Sequence, residues 1–246
     1  MSNQGYTFAA PPLTRVNKWI IIITAGLFIL NSLLQLSGVS LSSSFALSAA
    51  GFWSGHLYQI ITHALFQNGL MDLVFGGLVI WFIGAELERI WTSLGYILFA
   101  ILSTMVSGLI YVAIGLFLGG VAYTFPFLGF TAFTSGLLVA FATLYPNTMF
   151  SFMFFFPMKA KYFCMLLAGI QVYMGIFTPM AVQAWPALFA MGFAWFFTRY
   201  NLMNYLLVLI SKFHLPRQPK KLRKSSHLRV VGKEEVKDEN SPRYWQ

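Results

Sequence analysis

Apolar residues run along this chain in long blocks, and the polar breaks between the blocks are short. A bilayer hydrocarbon core of about 30 Å takes about 20 mostly apolar helical residues per crossing. Six blocks meet that requirement, near 19–36, 60–84, 94–118, 125–144, 162–176 and 181–197. The fifth and sixth are brief, with Thr178, Pro179 and Met180 as the break between them. Pro157 suits an interfacial helix start better than a helix interior. The first block is too long for the apolar core of a signal peptide and reads as a retained helix. The pattern predicts an all-α integral membrane protein, a bundle of six transmembrane helices.

Charge placement agrees with an even number of crossings. All sixteen basic residues lie at the first block's start (Arg15, Lys18), in the second gap (Arg89), in the fourth (Lys159, Lys161) or after the sixth block. The positive-inside rule makes those regions cytoplasmic, both termini included. The chain then divides into an N-terminal segment, 1–18, a membrane bundle, 19–198, and an interfacial helix with a basic tail, 199–246. The tail holds topology and touches anionic lipid, or recruits a cytosolic or membrane-bound partner such as a protease. It also supplies much of the +9 net charge, so no nucleic-acid partner is implied. Lacking a targeting or retrieval sequence, the chain is expected in a prokaryotic inner membrane.

Composition narrows the chemistry. Only 9% of residues are charged and mean hydropathy is +0.69, against roughly 25% charged in soluble domains. Cys164 is the single cysteine, which leaves no disulfide framework and no cysteine-based metal site. It reads as a small buried hydrophobe. Neither a metal nor another cofactor is expected.

Ionisable groups at membrane depth are costly and usually functional. Asp72 is the candidate, in the second block. His63, Gln67, Asp72 and Gly76 follow one another at steps of four, five and four residues, which places them on roughly one face of a continuous helix. Such a polar stripe either fixes helix packing through hydrogen bonds or lines a polar cavity. In the fourth block "LGFTAFTSGLL" places Thr131, Thr134 and Ser135 among small residues. The stretch reads either as a nucleophile's cradle or as a close helix contact whose hydroxyls bond their own backbone.

Four stretches, in order, resemble the rhomboid family of intramembrane proteins: "HALFQNGLMDLVFG", "GAELERIWTSLGYILF", "LGFTAFTSGLL" and "MAVQAWPALFAMGFAW". The resemblance implies six spans with a cytosolic N-terminus. It also places the family's catalytic serine at Thr131 and its catalytic histidine at Trp185. The oxyanion-supporting histidine and asparagine fall at Asp72 and Gly76. All four positions are changed. Acyl transfer needs a nucleophile within reach of a base, and an indole has no basic lone pair. An anion at Asp72 repels a developing oxyanion, where loss of even one donor costs about 10²–10³ in rate.

No catalytic residue is therefore expected, with Ser135 as the fallback nucleophile. Thr131 and Trp185 are expected to fill the former catalytic cavity, Thr131 bonding Asp72 or stacking on Trp185. The resemblance then implies a noncatalytic protein, derlin-like in role. It would bind transmembrane segments of client membrane proteins and pass them to quality control or regulated proteolysis. His63, Gln67, Asp72, Thr131 and Trp185 would line the binding site. The brief fifth and sixth helices would thin the nearby bilayer. Two other readings stay open: a degenerate protease using Thr131 or Ser135, and a proton-linked transporter built on Asp72 with His63.

Overall fold

A computed structural model describes residues 12–152, 156–178, 181–203, 205, 206 and 208 of the chain. The compact unit that holds them ends at Leu209. The expected basic tail and most of the interfacial helix lie outside the described residues.

Helix α1 (Arg15–Leu36) spans 22 residues, and its buried positions are Asn17, Thr24 and Asn31, seven residues apart. Trp19, Ile22, Ile23, Ile29, Leu30 and Leu33 point outward. Polar inside and apolar outside is the inverse of a soluble helix and fits a lipid surround. The seam is satisfied locally in part, with Asn17 Oδ1 buried and without a partner among the described residues. Asn17 Nδ2 donates to Thr14 Oγ1 (2.8 Å), Thr24 Oγ1 to the Ile20 carbonyl (2.8 Å), and Asn31 Oδ1 accepts from the Ser42 amide (3.0 Å).

The start of α1 has an electrostatic problem. Its first turn has no acid, its N-cap Thr14 makes no side-chain cap, and Arg15 and Lys18 oppose the helix dipole. Glu88, from a later helix, reaches this end. Its carboxylate accepts from the Val16 amide (3.3 Å), the Asn17 amide (3.4 Å) and the Ser93 hydroxyl (2.8 Å), and the residue is 5% exposed. A distant residue supplies the missing cap.

Short helices α2 (Leu41–Phe45), α3 (Ala49–Trp53) and α4 (Gln59–Thr62) and a 3-10 turn (His63–Leu65) follow. The single helix expected over 60–84 does not form. Phe66 is extended at φ −100° and ψ 135°, the Asn68-Gly69 pair supplies the breaker, and α5 (Leu70–Val79) starts only then. Through a π-helical turn (Ile80–Gly84), α5 continues into α6 (Ala85–Leu118). Thr92, at φ 68° and ψ 159°, breaks that rod into two arms, 70–91 and 93–118.

After α7 (Gly120–Thr124) the chain runs extended, and Phe127 pairs with Leu47 through two backbone bonds of 2.8 and 3.0 Å. Helix α8 (Thr131–Leu144) therefore begins six residues later than the apolar block suggested. In the fourth gap β1 (Met149–Phe152) and β2 (Phe156–Lys159) form an antiparallel ribbon, with Ser151 opposite Pro157. Helices α9 (Ala160–Phe177) and α10 (Ala181–Arg199) complete the bundle.

The core lies where α6, α8 and α10 meet. Small residues allow close approach, with Ala184, Ala187, Ala190 and Ala194 on α10 and Ala132, Gly136 and Ala140 on α8 all buried. A methyl on Gly136 would stand 3.1 Å from Ser103 Oγ and 3.6 Å from the Ala190 carbonyl. Rings of Trp91, Phe99 and Phe197 pack with centroids 5.0–5.8 Å apart. Buried Met203 covers Gly95 with its thioether, so the chain just after α10 folds into this core. Helix α9 packs on α8 and α10, α5 packs on α8, and among the described residues α5 and α9 share no extensive packed face.

Three rods are long and apolar enough to cross a membrane: Arg15–Leu36, the twice-as-long Leu70–Leu118 with its break, and Ala160–Phe177. At 18 and 19 residues, α9 and α10 reach about 27 and 28 Å, close to a full hydrocarbon core. The expected thinning of the bilayer by these two helices loses its basis.

Candidate functional site

Two loops are tied together at the N-terminal end of α8. The Gly129 amide donates to the His63 carbonyl (3.0 Å), and Asn68 Nδ2 donates to the Leu128 carbonyl (3.2 Å). Gly129 has φ +100°, a left-handed conformation that turns the chain sharply into α8. A carbon placed at its missing Cβ would lie 3.4 Å from Gln67 Oε1, 3.7 Å from Thr131 Oγ1 and 3.8 Å from Asn68 Nδ2. Three polar groups thus converge on one point.

Gln67 is only 5% exposed. Its Nε2 donates to the Ala64 carbonyl (3.1 Å), whereas its buried Oε1 has no partner among the described residues. Thr131, the first residue of α8, is exposed at this rim. His63 is buried beneath it, its Nδ1 3.0 Å from the Gln59 carbonyl and its ring against Phe127 at 5.1 Å. It is a packed interior group.

Asp72 departs from expectation. With α5 starting at Leu70, it lies in the helix's first turn and is exposed, at the end of a rod of about 33 Å and not in its middle. An acid in a first turn is stabilised by the helix dipole. No hydrogen bond joins it to Thr131 among the described residues. The stripe from His63 to Gly76 is likewise not one helical face, because residues 66–69 interrupt it.

The space expected to be closed by Trp185 and Thr131 is occupied differently. Gly76 is buried, and the ring of Phe130 lies where a side chain at position 76 would project, its Cε2 overlapping that site. Trp185 is half-buried and lies over Gly175 of α9, where a Cβ would meet Cε2 and Nε1 at 3.3 Å. It belongs to the α9–α10 contact. Ser135 is buried one turn beyond Thr131, and Thr134 returns its hydroxyl to the Phe130 and Thr131 carbonyls (3.2 and 3.1 Å). Cys164 donates its thiol to the Leu138 carbonyl (3.2 Å).

The structure therefore brings Gln67, Thr131 and Asn68 to one rim, with Asp72 and Gly76 on the adjoining face of α5. Sequence reasoning missed Phe130 and Asn68. The signal for Phe130 was a bulky residue beside Thr131 opposite a glycine where the family pattern has asparagine. No cluster of three His, Cys, Asp or Glu side chains able to hold a metal ion occurs among the described residues. For acyl transfer the arrangement is poor, since among the described residues no hydrogen bond joins Thr131 or Ser135 to a histidine, and His63 Nε2 is buried without a partner.

Fold and composition together define a helical integral membrane protein. The chain belongs to the family described as eukaryotic integral membrane protein (DUF1751), whose model matches residues 18–204. No curated protein matches it. The family's eukaryotic description overturns the expectation of a prokaryotic inner membrane. That expectation rested on a missing targeting sequence, and sorting signals are read by receptors from many short patterns that composition does not expose.

Proposed function

We propose that this protein is a rhomboid-like membrane protein without protease activity that binds transmembrane segments of client proteins. In this reading Thr92 turns the long apolar rod into two crossings. With α1, α8, α9 and α10 the bundle then has six spans and cytoplasmic termini. The observation that carries the reading is the Phe130 ring against Gly76. Under the resemblance it stands where a protease of that family needs an open, donor-lined oxyanion pocket, and among the described residues no hydrogen bond joins Thr131 to a histidine. The unpacked interval between α5 and α9 supports lateral entry of a client helix. The tail, 210–246, would recruit a downstream partner such as a protease and contact anionic lipid.

The test is a cleavage and labelling assay on the bilayer-reconstituted protein, with a model rhomboid substrate and a fluorophosphonate probe. Wild type, Thr131→Ala and Ser135→Ala are expected to give no product and no label. Cleavage by the wild type that one substitution abolishes would overturn the reading and establish the degenerate protease.

A further inference from the structure

We propose that Asp72, Gln67 and Thr131 form a receptor for a cationic side chain, Lys or Arg, carried near the outward end of a client's membrane segment; this deepens, and rests on, the client-binding reading. The first observation is the charge map. Across 19–85 Asp72 is the only Asp, Glu, Lys or Arg, and 90–158 and 162–198 contain none. On the 70–91 rod the other charges, Glu86, Glu88 and Arg89, lie at the far end, where Glu88 meets the start of α1 beside Arg15 and Lys18, so Asp72 is the sole charged group at its own end of that rod. It takes part in no ion pair among the described residues, where the recorded pair joins Arg89 to Glu86.

The second observation is independent of charge. Gln67 is a buried amide whose Oε1 has no donor among the described residues, and it converges with Thr131 Oγ1 on Gly129. A buried acceptor without a partner is costly unless a ligand or water satisfies it. Asp72 stands one turn before Gly76 on the same face of α5, and Gly76 lies against Phe130, the residue before Thr131. The rim thus offers an amide oxygen and a hydroxyl, and the adjoining first turn of α5 a carboxylate, all able to accept.

An ammonium or guanidinium group consists of donors alone and complements this set; a client carboxylate does not. Basic residues inside membrane segments are costly until paired, so a client exposing one is a segment still lacking its own partner. The site would select such segments over fully apolar ones.

The experiment uses the full chain in zwitterionic nanodiscs, labelled at the C-terminus. Labelled single-span Leu-rich peptides carry Lys, Leu, Glu or Asn four residues from the outward end, and binding is read by energy transfer. The Lys peptide is expected to bind about fivefold tighter than the Leu peptide, the effect of an exposed ion pair. That preference is expected to vanish in Asp72→Asn, survive in Asp72→Glu and shrink with added salt. Peptides that bind without a Lys preference, or with one that persists in Asp72→Asn, would overturn this inference and leave client binding standing. Failure of all four peptides to bind would remove client binding itself, and this site with it. Matching gel-filtration and circular-dichroism profiles of the variants keep misfolding out of the comparison.

Discussion

Glu88→Ala tests the cap that a distant carboxylate gives to α1. The substitution leaves the amides of Val16 and Asn17 without their acceptor, beside the cations Arg15 and Lys18, and frees the Ser93 hydroxyl. Hydrogen bonds to a charged group are worth about 1.5–3 kcal/mol each. The amide contacts here, at 3.3 and 3.4 Å, are long. About 1 kcal/mol for each of the three bonds is the reasonable assignment, or about 3 kcal/mol together. For a chain of this length that is a fall in Tm of about 6–12 °C. The assay is a melt with a thiol-reactive fluorogenic dye, whose one target is Cys164. That thiol packs on the same core as Val16, Ile20 and Ile21, so loosening of α1 reaches it. Glu86→Ala is the control. It removes the same charge two residues away, where the carboxylate makes only an exposed pair with Arg89 at 3.6 Å, worth about 0–1 kcal/mol. A Glu88→Ala melt within 2 °C of wild type (the assay's expected resolution, about 0.5 kcal/mol), or a Glu86→Ala shift of equal size, would refute the capping argument.

Further outcomes follow from the same geometry. Gly76→Ala places a methyl in the Phe130 ring and is expected to cost about 1–3 kcal/mol. Combining it with Phe130→Ala should recover part of that loss, so a double-mutant cycle that is additive would mean the two positions do not touch. Thr92→Gly relieves a backbone conformation that only glycine adopts freely, against a smaller entropic loss in the unfolded chain. A gain of about 1 kcal/mol, or about 2–4 °C in the dye melt, is expected; an unchanged or lower Tm would show that the turn at 92 is not strained. Gly136→Val is expected to abolish stable folding, because even a methyl there meets Ser103 Oγ at 3.1 Å and the Ala190 carbonyl at 3.6 Å. Retention of the wild-type gel-filtration profile would show that α6, α8 and α10 pack less closely than described.

Hydropathy carried the positions of α1, α9 and α10 to within a few residues, because each is an uninterrupted apolar run ended by polar or breaker residues. It failed for the second block. Apolar content stays high from Ile60 to Gly84, but backbone geometry is decided by Asn68-Gly69 and the extended Phe66, and hydropathy is blind to both. That one break moved Asp72 from mid-helix to a first turn and dissolved the polar stripe. The fourth block failed for a different reason, since 125–130 is as apolar as a helix yet is held extended by the pairing of Phe127 with Leu47. Glu88 was unreadable as a cap because its partners lie 71 and 72 residues away. Phe130 was hidden too, since the shape it fills is made by a glycine in another helix.

The spacing between Glu88 and α1 also sets an order of events during biosynthesis. At about 5–20 residues per second, α1 waits about 3–10 s after its own synthesis before Glu88 is made. During that interval the start of α1 carries its two cations and no cap, although the bonds of Asn17 Nδ2, Thr24 and Asn31 form with residues up to Ser42. The nascent chain therefore passes through a stage in which the amides of Val16 and Asn17 have no acceptor from Glu88.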